Sequence, residues 1–182
     1  MKTILAFALA LFCLAPSAFA DEFDIYREAV DKITEWQSEK GLIDYKGTNR
    51  TLKAYVNAHN TAVKTIEKEN AKIKQANATY SSQTSIIKPN DPRITINKPM
   101  FHGGRNAVIA KEKIKRDDAI KRAEMGINSA KRKKIETQKL ALQEMRRKLK
   151  SLKITDDYKK MDQDKLVNSI TELIEGLSID NE

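Results

Sequence analysis

Apolar residues recur along this chain at intervals of three and four, with one long exception. Phe23, Tyr26, Val30, Ile33 and Trp36 lie at helical spacing within DEFDIYREAVDKITEWQSEKG, with acidic residues in the first turn and Gly41 behind Lys40 as a stop. Residues 21–41 are therefore predicted to form one amphipathic helix. The most regular pattern runs from 48 to 80. There Leu52, Val56, His59, Val63, Ile66, Asn70, Ile73, Asn77 and Tyr80 alternate steps of four and three, a heptad seam. In that register Val56, Val63, Asn70 and Asn77 share one core position, where asparagine would fix the pairing at a cost in stability.

Residues 106–153 contain no proline and only Gly126, so they are predicted to form a single helix about 70 Å long. Its seam is thin over Ile120, Ala123, Ile127 and Ala130. It is heavy over Ile135, Gln138, Leu142, Met145, Leu149 and Leu152, and the longer step from Ile127 to Ile135 shifts the phase. A last amphipathic helix is predicted within 155–182, opened by Thr155-Asp156-Asp157 and marked by Leu166, Ile170, Leu173 and Leu177.

The exception is SSQTSIIKPNDPRITINKPMFHGGR, residues 81–105. Ser85-Ile86-Ile87-Lys88 and Arg93-Ile94-Thr95-Ile96 flank a Pro-Asn-Asp-Pro turn and read as a short β-hairpin or an extended loop. Ile86, Ile87, Ile94, Ile96, Met100 and Phe101 are more apolar side chains than polar helical arms can bury. They either cap the arms or form a tip that recognises a partner.

The fold class predicted from these segments is all-α: an elongated antiparallel coiled-coil hairpin in a single domain, 21–182. The 48–80 helix pairs with the first two thirds of the long helix. The helices at 21–41 and 155–182 cover the heavy seam in a small helical bundle at the base, and 81–105 forms the β-hairpin or loop at the tip.

The first twenty residues, MKTILAFALALFCLAPSAFA, have a charged start, an apolar run and the small-x-small pattern Ala18-Phe19-Ala20. This is the layout of a signal peptide cleaved between Ala20 and Asp21, and it predicts a periplasmic or secreted protein. Cys13 is the only cysteine, so the mature chain is expected to carry no disulfide and no thiol nucleophile.

Charge is unevenly distributed. Residues 106–153 hold sixteen Lys/Arg against six Asp/Glu, whereas 154–182 hold three against eight. Lys131, Arg132, Lys133, Lys134 and Arg146, Arg147, Lys148 are the densest basic clusters, a surface that could attract an acidic protein or an anionic envelope surface. Nucleic acid fits less well, because the chain is expected to be exported and no aromatic residues interleave with the clusters.

Candidate chemistry is sparse. His59 and His102 have no cysteine companions at zinc-site spacing, and no G-x-S-x-G turn occurs. Asp156, Asp157, Asp162 and Asp164 lack the central glycine and closing glutamate of a calcium loop. The expectation is a non-enzymatic envelope protein without metal or cofactor, a chaperone-like or scaffold-like hairpin binding other macromolecules. The alternatives are an adaptor or structural subunit of a secretion, conjugation or surface appendage, and an inhibitor of an envelope hydrolase. Exposed heptads would also permit a homo-oligomer.

Overall fold

The computed structural model describes residues 22–38, 41–87 and 104–177. Among these the chain is 87% helical, with no strand. The helices are α1 (Glu22–Ser38), α2 (Arg50–Ser85), α3 (Gly104–Ser151) and α4 (Asp157–Gly176). They fall into two compact units: one holds α1, the end of α3 from Leu142 onward, and α4 to Glu175, while the other holds α2 and α3 up to Ala141.

The first unit carries the larger side chains. Phe23, Ala29 and Ile33 of α1, Leu142, Met145 and Leu149 of α3, and Ile170 of α4 are each at most 2% exposed. Within this unit, Leu142, Met145 and Leu149 of the heavy seam of α3 are buried together with residues of α1 and α4. Trp36, at the end of the α1 stripe, is only half-buried. Arg27 pairs with Asp162 across to α4, and its guanidinium lies 5.4 Å from the centre of the Phe23 ring. Burial pushes the Tyr26 phenol above its usual pKa, and the carboxylates of Glu22 and Glu144 push it further.

The turn from α3 to α4 is closed by side chains rather than by glycine. The buried amide of Gln163 donates to the carbonyls of Leu149, which also accepts from the Leu152 N–H, and of Leu152 just past the end of α3. Asp156 caps α4, its carboxylate accepting from the Tyr158 and Lys159 amides at 2.9 and 3.1 Å.

In the second unit α2 begins at Asn49, whose side chain accepts from the amides of Thr51 and Leu52. It continues to Ser85, beyond the expected end at Tyr80. The polar run SSQTS stays helical because its hydroxyls turn back onto the helix: Thr84 Oγ1 donates to the Tyr80 carbonyl at 2.8 Å and Ser85 Oγ to that of Ser82 at 2.9 Å. This corrects the expected β-hairpin or extended loop at Ser85-Ile86, since Ser85 is helical and Ile86 keeps helical dihedrals as the C-cap. Ile87 follows outside the helix, and the rest of the expected hairpin or loop, from residue 88, lies outside the described residues.

Helices α2 and α3 run antiparallel. Arg116 stacks 4.5 Å from the centre of the Tyr80 ring, and further along Glu69 packs beside Gly126. The line of α2 facing its neighbour is Leu52, Tyr55, His59, Ala62, Ile66, Glu69, Ile73, Ala76 and Tyr80, all buried or half-buried. Val56 and Val63 are still buried and half-buried as the expected seam has them, and beyond them the second position of each repeat has moved one residue back. Asn70 and Asn77 are exposed, so the expected asparagine core positions do not exist. Close approach explains the choice: Ala62 and Ala76 face a side of α3 that carries Ala119, Ala123, Gly126 and Ala130, and small residues let two helices come together.

A strap precedes α2. Gly41 has φ +144°, a conformation natural to glycine. The chain then lies along α2 with Ile43 buried.

Candidate interaction surface

On one flank of the α2/α3 pair the two helices part into a trough with two hollows, of about 590 and 540 Å³. Helical phase places both on the same flank. Thr65, Lys72 and Thr79 recur at intervals of seven along α2, and Lys115, Arg122 and Ser129 do so along α3, so each set stays on one side of its helix. Gly126 lines the first hollow and Glu69 the second, and these two residues touch where the hollows meet.

The first hollow exists because its walls are short. Ala54, Ala58, Ala62, Gly126 and Ala130 carry nothing beyond Cβ, and Lys133 and Lys134 stand on its rim. The second is polar. Glu69 and Glu112 are largely sheltered, with side chains 12% and 15% exposed, and each bonds a lysine one turn along its own helix, Lys72 and Lys115, both at 2.6 Å. Tyr80 and Arg116 stack within it, and Arg122 completes its wall. Six basic side chains and two carboxylates thus line the whole trough.

The residues expected to form the basic surface are divided by the fold. Lys131 to Lys134 fan around α3, with Arg132 and Lys133 exposed and Lys131 and Lys134 half-buried. Arg146 to Lys148 belong to the other unit. There Arg146 donates to the Thr171 hydroxyl at 3.2 Å, Lys148 pairs with Glu144 at 3.1 Å, and Arg147 is exposed. Of the apolar residues expected at the tip, Ile86 is 55% exposed and Ile87 half-buried. Ile94, Ile96, Met100 and Phe101 lie outside the described residues.

Sequence reasoning missed the polar anchors of the strap. The amide side chain of Asn60 makes two bonds to one residue, accepting from the Ile43 N–H at 2.7 Å and donating to the Ile43 carbonyl at 2.8 Å. His59 Nε2 lies 2.6 Å from the Gly41 carbonyl, so the ring nitrogen donates. A histidine and an asparagine adjacent on a helix, with an Ile-bearing glycine loop just upstream, were the signal.

Among the described residues no cluster of three or more His, Cys, Asp or Glu could hold a metal ion, and no helix is long and apolar enough to cross a membrane. No protein-family model matches the chain, and no curated protein or solved structure matches it.

Proposed function

We propose that this chain is exported after cleavage between Ala20 and Asp21 and acts as a non-enzymatic binding protein, its α2/α3 pair a coiled-coil hairpin that holds other polypeptides. One observation supports this reading above the rest. Beyond Ala62 no residue of α2 is buried, and α3 from 106 to 134 buries only Ala123. Burial of apolar surface is the main favourable term in folding, so paired helices with so little of it contribute little to stability by themselves. What they offer is surface: a trough on one flank and, at the end of α2, the exposed Ile86 leading into the segment that carries Ile94, Ile96, Met100 and Phe101. Large apolar side chains in such a place contribute when a partner covers them.

The experiment is affinity capture by residues 21–182 from an envelope extract of the source cells, read by quantitative mass spectrometry. It compares the native sequence with a variant in which Ile94, Ile96 and Phe101 are serine, both matched for helical signal. A set of unrelated unfolded polypeptides means a chaperone-like role, and a single stoichiometric partner means an adaptor. If neither protein retains any macromolecule, the binding reading fails.

A further inference from the structure

Building on the binding role proposed above, we infer that the trough along α2 and α3 is the seat of a third helix, supplied by a partner whose seated face is apolar at one end and acidic at the other. From Ala54 to Gln83 the trough follows α2 for about 43 Å at 1.5 Å per residue, the span of roughly four heptads. Its two halves ask for different side chains.

Alanine and glycine walls around the first hollow leave room for leucine-sized knobs, since a helix carrying large residues packs against one that presents small ones. The second hollow is too polar for that. Its carboxylates are already bonded to Lys72 and Lys115, Arg116 is paired with Asp117 and stacked on Tyr80, and Arg122 stands on the same wall. With six basic side chains to two carboxylates along the lining, an acidic segment is the complementary occupant. A second copy of this chain is a poor one: α3 carries the chain's excess of basic charge, so two such troughs repel. The polar half fixes the direction of the partner and the small-residue half supplies apolar contact.

The test uses residues 21–182 and a synthetic helical peptide of about 28 residues, with leucine on the seated face of one half and glutamate on that of the other. A peptide of the same composition in scrambled order is the control, and binding is read by fluorescence anisotropy at two salt concentrations. Ser129 is exposed and lines the first hollow, so Ser129→Trp fills it without entering a core. That variant, with unchanged circular dichroism, is expected to lose about tenfold or more in affinity. Arg122→Glu paired with Lys133→Glu is expected to weaken binding by about tenfold and to remove its salt dependence, and a peptide with lysine replacing glutamate is expected to recover it.

Equal binding of the scrambled peptide, or full affinity in Ser129→Trp, overturns the trough as the site. So does a dimer, seen by sedimentation, that Ser129→Trp dissociates, because the occupant is then a second copy. Running Ser129→Trp through the envelope capture separates the two proposals. Partners retained equally by wild type and variant remove the trough and leave the binding role standing, whereas no partner retained by either removes the role itself.

Discussion

Replacing Asn60 with alanine tests how the strap is held. The substitution removes both bonds to Ile43, at 2.7 and 2.8 Å, and leaves the N–H and C=O of a residue only 7% exposed without their partner. A sealed, unsatisfied backbone group costs about 1–3 kcal/mol. Asn60 is itself half-buried, so water reaches part of the site and the lower end applies to each group. The expected loss is about 2 kcal/mol, or roughly 4–8 °C in Tm for a chain of this size. Urea and thermal unfolding measure the loss, and hydrogen exchange at the Ile43 amide locates it. Asn60→Asp sharpens the test. Its carboxylate still accepts from the Ile43 N–H but turns a second oxygen toward the Ile43 carbonyl, so it is expected to lose about as much as alanine at neutral pH. Its deficit against wild type should shrink below about pH 4, where a protonated acid can donate again. Stability within about 0.5 kcal/mol of wild type in Asn60→Ala, with Ile43 exchange unchanged, refutes the clamp.

Other substitutions probe separate parts of the fold. Met145→Ala, at a fully buried position, is expected to cost about 2–5 kcal/mol in chemical denaturation. Leu140→Ala, at a residue 66% exposed, is expected to cost less than about 0.5 kcal/mol. Gln138 is 2% exposed and its Oε1 has no hydrogen-bond partner, so Gln138→Met is expected to raise stability by about 1 kcal/mol. The raised pKa of Tyr26 means the folded state favours the neutral phenol. Its contribution is complete below pH 10 and is lost as pH rises past that value, and Tyr26→Phe is expected to flatten this alkaline decline in a pH series of unfolding curves.

The existence and type of every described helix were legible because each signal had a single physical source. The apolar stripe of α1, the Asp156 cap and the heavy seam of α3 depend on residues whose size or hydrogen bonding leaves few alternatives. The end of α2 was misread because serine and threonine serve a helix or a strand equally well in sequence. Only the bonds of Thr84 and Ser85 back to the carbonyls of Tyr80 and Ser82 in the preceding turn decide between them. The trough was invisible for a related reason: alanines at 54, 58, 62 and 130 report a cavity only once their two helices are set side by side.

The seam of α2 shows why a heptad pattern underdetermines its own core. Leu52, His59, Ile66, Ile73 and Tyr80 repeat every seven residues and belong to both registers, the expected and the observed. What differs is whether the companion positions lie four residues on, at Val56, Val63, Asn70 and Asn77, or three, at Tyr55, Ala62, Glu69 and Ala76. Near the start of α2 the choice hardly matters, since Tyr55 and Val56 are 3% and 2% exposed and both registers are filled. Further along it decides everything. There the first register would enclose two amides, and the second half-buries Ala76 and a glutamate whose aliphatic stem lies over Gly126 while its carboxylate reaches Lys72. Leaving an amide without a partner in an apolar seam costs more than sheltering a carboxylate already bonded to a lysine at the surface. The polar residues of the far half, rather than the apolar ones, set how the two helices meet. By turning Asn70 and Asn77 to solvent they also bring the alanines and glycine of the opposite flank together as the wall of the trough.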